Sequence, residues 1–273
     1  MFVRTRHRLL AAVGLVLSGC ADDVTLHLLD PRAEPGSGGR SGAGAAGAAG
    51  TDAASSALIH RYDFEGTGTT VFDRIGTADG RTEAGAELDG TGVVILDGVD
   101  DFVRLPGGLV SSLTSATVLA WVTWSGGSCW QRVFDFGNTT SNDEGDVVAD
   151  SSFFLAPQSC GAAVLVASVE LVGDERHALD GDAALPTARR VLIGVVVDAG
   201  AGSFRIVQDT ASVAEGPLPA ALSSVVDDNA WLGRSQYEQD LYFAGSFDEF
   251  RIYSAPLTDA QLSAIASAGP DAP

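Results

Sequence analysis

From Leu58 onward the chain is a succession of short β-branched and aromatic runs, each ended by glycine, aspartate or asparagine. Punctuation of that kind leaves little room for the 3.6-residue apolar spacing of helices and fits many short strands joined by turns. Candidate strands fall at 59–64, 93–96, 102–105, 117–124, 132–136, 163–171, 190–197, 203–208, 230–232 and 247–253. In the fourth of these, Val118, Ala120, Val122 and Trp124 alternate with Leu119 and Trp121, so both faces are apolar and an inner, covered strand is expected. One helix is predicted: Thr258 and Gln261 have capping-box spacing, followed by apolar Leu262, Ile265 and Ala266. No internal repeat is present, and the fold class is all-β, a sandwich or barrel. A composition of 45% apolar and 19% charged residues excludes a disordered acidic tail. The formal charge of −20, with every basic residue an arginine and three of them in the first eight positions, speaks against nucleic acid as a partner.

The N-terminus speaks to address. Arg4, Arg6 and Arg8 precede an apolar run from Leu9 to Leu17, too short for a spanning helix, which needs about 20 residues. Leu17-Ser18-Gly19-Cys20 resembles the lipobox of bacterial lipoproteins, in which the cysteine becomes the acylated N-terminus. That resemblance implies export, anchoring in a lipid bilayer through Cys20, and, because Ala21 rather than Asp follows, outer-membrane or surface placement. Pro31 to Ala57 is nearly all Pro, Gly, Ala, Ser and Thr, a composition that cannot offset its ordering entropy. The expected organisation is a signal peptide over 1–19, a lipidated start and flexible linker over 20–57, one domain over 58–268 and a tail over 269–273. Export also bears on Cys129 and Cys160, which remain as a pair in an oxidising compartment, where a structural disulfide is the default. His7, His27, His60 and His177 are too scattered for a thiolate–imidazole metal site.

A family comes into view at Leu96-Asp97-Gly98-Val99-Asp100-Asp101-Phe102-Val103-Arg104-Leu105-Pro106, which resembles the laminin G-like, concanavalin A-like jelly roll. Tyr62 to Gly66 with Val71-Phe72-Asp73 resembles that family's opening strand and loop, and 117–121 and 132–137 resemble two strands that follow. Leu232-Gly233-Arg234-Ser235, then 243–253 and the capped helix, resemble its ending, so the likeness spans Leu58 to Ala268. It implies a concanavalin A-like antiparallel sandwich with a short C-terminal helix. The stretch 190–209 lacks the family's Trp, His and second Asp-Gly, and remodelling of that hairpin is expected.

For chemistry, the acidic Glu-x-Asp-x-Glu strand of related glycoside hydrolases is missing, as are nucleophile and phosphate motifs, so a non-enzymatic module is expected. Asp248 and Glu249 are adjacent in a strand and are expected to leave opposite faces. The family resemblance implies one structural calcium between opening and closing strands, with Asp248 matching one ligand, Glu65 or a nearby carbonyl another, and Asp73 and Asp97 as further contributors. The acidic group Asp143-Glu144-Gly145-Asp146 with Asp150 reads as a solvated loop. Trp130, Tyr237 and Tyr242 are the candidates for stacking on sugar rings, while Trp121, Trp124 and Trp231 read as core. Three functions stand: a tethered binding module for a glycan or a surface protein, a structural or adhesion protein of the envelope without a small-ligand site, and a glycosidase with an unrecognised acidic pair.

Overall fold

In the computed structural model, which describes residues 54–173 and 178–272, the apolar runs pair into two antiparallel sheets stacked on a common core. Strands are numbered along the chain. The first sheet holds β15 (Ala211–Pro217), β14 (Ser203–Gln208), β13 (Arg190–Asp198), β8 (Ala116–Trp124), β17 (Ala244–Tyr253), β6 (Val94–Asp97), β5 (Glu87–Asp89) and β2 (Thr67–Gly68), in that lateral order. Its ninth strand, β1 (Leu58–Tyr62), also pairs with β17. The second sheet runs β12 (Leu179–Asp180), β11 (Val166–Leu171), β10 (Val147–Ala156), β9 (Phe134–Ser141), β16 (Asn229–Leu232), β7 (Phe102–Leu105), β4 (Gly80–Glu83) and β3 (Thr70–Val71). The opening and closing strands lie side by side, Leu58 opposite Tyr253 and Tyr62 opposite Phe250. Cys20, the signal and nearly all of the 20–57 linker lie outside the described residues.

Alternation decides which side chains enter the core. Val118, Ala120 and Val122 of β8, Ile193 and Val195 of β13, and Phe247, Phe250 and Ile252 of β17 face Phe134, Phe136, Phe153 and Leu155 of the second sheet. Phe134 sits 5.1 Å from both Phe136 and Phe153 and 6.1 Å from Phe250, ring centre to ring centre, mostly edge to face. Each such buried ring stabilises the fold by about 2–3 kcal/mol relative to exposure. The doubly apolar character of β8 also has its explanation. Leu119 and Trp121 join Leu192, Val196, Val207 and Tyr253 on the sheet's outer face, which is covered by helix α1 (Asp259–Ala268) and by the helical turn at 54–57. Thr258 and Gln261 form the expected capping box.

The outer face of the first sheet also holds a buried charge cluster. Glu249 accepts from Arg61 and Arg251, and Arg251 lies 5.0 Å from the centre of the Trp121 ring. Arg251 Nη2 donates to the Pro270 carbonyl at 2.9 Å and to that of Ala272, so the 269–273 tail is docked as far as it is described. Asp248, expected opposite Glu249, leaves the same face and pairs with Arg190 at 2.9 Å. The reason is a β-bulge between Phe247 and Glu249, where one extra residue breaks the alternation.

The hairpin of β13 and β14 pairs regularly from Ile193 opposite Gln208 to Asp198 opposite Ser203 without the family's Trp and His, and β13 is buried on both faces. The acidic residues Asp143 and Glu144 lie, as expected of a solvated loop, in the exposed β9–β10 turn, where Asn142 Oδ1 accepts from the Asp146 amide at 2.8 Å. One part of that expectation is corrected: Asp150 belongs to strand β10.

Candidate functional site

Across the outward face of the second sheet runs one row of paired residues: Ser168 of β11, Phe154 of β10, Asp135 of β9, Trp231 of β16 and Arg104 of β7. An outward face would ordinarily be solvated, yet Phe154, Asp135 and Ser168 are fully buried. What covers them is a pair of loops, 125–133 before β9 and 233–243 between β16 and β17. Arg132, itself 2% exposed, ties both loops to the sheet. Its Nε donates to Asp135 at 3.1 Å, Nη1 to the Trp130 carbonyl at 2.6 Å and Nη2 to Asp240 at 2.9 Å. Its guanidinium lies 4.4 Å from the centre of the Phe154 ring and 5.7 Å from that of Trp130. Asp135 further accepts from Ser152 Oγ at 2.6 Å and from the Gln236 amide at 3.1 Å. Burial nevertheless dominates and pushes the Asp135 carboxyl up to about 6, against the opposing pull of Arg132.

Trp130 is held from its other side as well. Cys129 and Cys160 form the expected disulfide, with Cα atoms 5.0 Å apart, and the Trp130 amide donates to the Gln158 carbonyl at 2.8 Å. The residue adopts a left-handed backbone, φ 63°, a conformation that costs a non-glycine residue about 1 kcal/mol or more and persists only when its surroundings enforce it. Staple, loop-to-loop hydrogen bond and guanidinium together are that enforcement.

Between the two loops and the edge formed by β10 and β11 lies a cavity of about 480 Å³, within the usual range of small-molecule clefts. Trp130, Tyr237, Asp150, Glu170, Asp240 and Arg132 contribute to its wall. Asp150 reaches it by way of a bulge between Ala149 and Ser151, and its Oδ2 accepts from Asn138 Nδ2 at 2.9 Å. Opposite the bulge sits Gly137, where a Cβ would stand 2.0 Å from the Ser151 carbonyl oxygen. Only glycine fits that close approach.

The structure thus brings Trp130 and Tyr237 into one cavity. Tyr242 lies elsewhere, 6.2 Å from the Phe102 ring and 5.9 Å from the Arg234 guanidinium, which also stacks on Trp231. Sequence reading passed over Arg132, Glu170 and Asp240 as site residues. Asp240 has the local signal of lying between Tyr237 and Tyr242, whereas Arg132 carries none because one of its partners lies 108 positions away.

The carboxylates considered for calcium do not converge. Asp73 is spent on structure: it accepts from His60 Nδ1 at 2.7 Å and from the amides of Arg61, Ile75, Gly76 and Ala78. It bridges to Tyr62, which pairs with Phe250, whereas Asp97 pairs with Ala244, six residues away on the same strand. At the strand rise that separation is about 20 Å. Asp248 is paired with Arg190, and Glu65 is exposed beside Gly92. Among the described residues Asp97 groups with Asp100 and Asp101 instead. Asp248, Glu65, Asp73 and Asp97 therefore do not form one shared cation site.

Nor do the buried carboxyls suit acid catalysis. Burial raises both Asp135 and Glu249, but the two side chains are 0% and 1% exposed, beyond reach of a substrate bond.

Solved structures share this architecture at low sequence identity. Domain 4 of AbnA, a GH43 extracellular arabinanase from Geobacillus stearothermophilus solved with arabinotriose, matches with a TM-score of 0.58 and 22% identity, over 77% of this chain and 98% of that one. The binding domain of botulinum neurotoxin serotype D gives 0.57 and 12%, over 79% of this chain and 52% of that one. A Trypanosoma rangeli sialidase gives 0.58 and 12%, over 78% and 33%. These likenesses speak to fold. Among curated proteins none matches the sequence. The model of the concanavalin A-like lectin/glucanases superfamily matches residues 97–263, more than half of the sequence, and the chain belongs to that superfamily.

Proposed function

We propose that the domain is a non-catalytic carbohydrate-binding module and that the cavity lined by Trp130 and Tyr237 is its ligand site. One observation carries this reading: two aromatic side chains and three carboxylates share the wall of a single cavity, and one of the aromatics is fixed in place by a disulfide and a buried arginine. Sugars offer an apolar ring face for stacking and hydroxyls that donate to carboxylates, the two functions present here. The similarity to an arabinanase domain solved with arabinotriose supports the same reading. On the sequence of its N-terminus we further infer that the chain is an exported lipoprotein, anchored through Cys20 and presenting this cavity on a tether at the outer membrane or cell surface.

The decisive experiment is titration calorimetry of the full chain with arabinotriose, xylotriose, cellotriose and mannotriose. Saturable binding to at least one, weakened at least tenfold by Trp130→Ala and by Tyr237→Ala at unchanged melting temperature, supports the proposal; a tenfold loss corresponds to about 1.4 kcal/mol. Absence of binding across the panel, or binding indifferent to both substitutions, refutes it. Incorporation of labelled palmitate that Cys20→Ser abolishes tests the anchor.

A further inference from the structure

Beside the cavity, the second sheet carries another aromatic group. Phe102 of β7, Trp231 of β16 and Tyr242 stand around the guanidinium of Arg234, which lies 4.8, 4.3 and 5.9 Å from their ring centres. Gly233 puts it there: its φ of 86° turns the chain at the end of β16, and a Cβ at that position would strike Leu96. Every other arginine among the described residues is paired with a carboxylate, whereas Arg234 has neither such a partner nor a hydrogen bond to another described residue. With 36 acidic residues to 16 arginines, a counterion within the chain would be easy to supply. The acidic neighbours of Phe102 and Tyr242 are used otherwise: Asp101 accepts from the Gly85 and Asp97 amides, and Asp240 from Arg132 and Ser235. Arg104 and Arg81, opposite each other on β7 and β4, share the one carboxylate of Glu83 at 3.0 and 3.3 Å. Stacking occupies the flat faces of a guanidinium and leaves its N–H edge, a planar fork that fits a carboxylate or sulfate. Arg132 is stacked in the same way, but Asp135, Asp240 and the Trp130 carbonyl take its Nε, Nη2 and Nη1. The edge of Arg234 is uncommitted.

We propose that Arg234 and Tyr242 form a second glycan site, for a sugar that bears a carboxylate or sulfate. Arg234 holds the anionic group with its fork, and the ring of Tyr242 supplies a stacking face for the sugar; both residues are only half-buried. The two guanidiniums that share Glu83 favour the same charge of ligand. This site is separate from the Trp130 cavity and does not rest on it.

The test is calorimetric titration of the full chain with trigalacturonate, which offers carboxylates, and with a carrageenan tetrasaccharide, which offers sulfates, galactotriose serving as the uncharged counterpart. Saturable binding of at least one acidic ligand, tenfold or more tighter than galactotriose and weakened by salt, is expected. Arg234→Met and Tyr242→Ala should each weaken it at least tenfold. Methionine keeps an apolar cover over Trp231, and the melting temperature of the variant separates a lost ligand contact from lost packing. Arg234→Lys keeps the charge, loses the fork and should also bind more weakly, which preserves the test if the methionine variant fails to fold. Binding of neither acidic ligand, binding no tighter than that of galactotriose, or binding that Arg234→Met and Arg234→Lys leave intact overturns the proposal. Loss in Trp130→Ala with none in Arg234→Met would place the acidic sugar in the cavity, overturning the second site and leaving the first standing.

Discussion

Replacing Arg132 by methionine tests how the cavity is held together. The substitution keeps most of the volume between Phe154 and Trp130 but removes three hydrogen bonds and two ion pairs from a residue that is 2% exposed. Breaking a buried pair on one side costs about 3–5 kcal/mol, since the partner is left uncompensated. Here the partner also sets a pH dependence. With its folded value near 6 against 3.8, the Asp135 carboxyl takes up a proton on folding over that interval. Its contribution is therefore fully present below about pH 4 and lost as pH rises through 6, roughly 3 kcal/mol in all. Without Arg132 the carboxyl stays protonated to still higher pH, and the same rise to pH 7 removes about 4 kcal/mol. The cost of Arg132→Met should accordingly grow by about 1 kcal/mol between pH 4 and pH 7. Urea denaturation followed by tryptophan fluorescence at both pH values, on the single variant, on Asp135→Asn and on the double variant, measures this directly. A cost below 1 kcal/mol, or one equal at both pH values and additive with Asp135→Asn, would refute the coupling.

Three other outcomes are expected. Cys129→Ser with Cys160→Ser opens a loop of sequence separation 31 and should lower stability by about 3–4 kcal/mol in the chain-entropy picture, read by urea denaturation. Because the staple also enforces the left-handed Trp130, ligand affinity should fall well below the melting point of the variant. Asp73→Ala should cost about 3 kcal/mol or more at neutral pH, having removed the acceptor of four amides and His60. Burial alone would raise that carboxyl, but His60 and the backbone amides hold it below its usual range. Its stabilisation is present above about pH 4 and lost as pH falls through the lowered value, so the cost of Asp73→Ala should be flat from pH 5 to 7 and shrink in stronger acid. Gly137→Ala places a methyl against the Ser151 carbonyl and should destabilise by more than 2 kcal/mol and weaken ligand binding through the displaced Asp150 bulge; calorimetry with and without ligand reads both effects.

The sheet framework was legible because its inner strands are nearly pure pattern. The spans 102–105 and 203–208 coincide with β7 and β14, and the closing strand was foreseen for most of its length. Strand β10 was missed because Asp150, Ser151 and Ser152 interrupt the apolar alternation where the bulge inserts its extra residue. The edge strand β15 was missed because it buries almost nothing and so lacks a pattern to read. The site followed the same logic. Trp130 and Tyr237 stood out by residue type, but their meeting depends on Arg132 tying loop to loop across 108 positions, an interaction that leaves no trace in local sequence. Asp248 and Glu249 show the converse: a period-two argument fails at the one position where the ladder slips.

The helical turn at Ala54 and helix α1 both rest on the back of the first sheet, against Leu119 and Trp121, while the cleft opens on the front of the second. The first described residues therefore lie against the rear wall of the sandwich, on the layer away from the mouth between Trp130 and Tyr237. A large polymer approaching that mouth meets neither the turn at Ala54 nor helix α1 in its path.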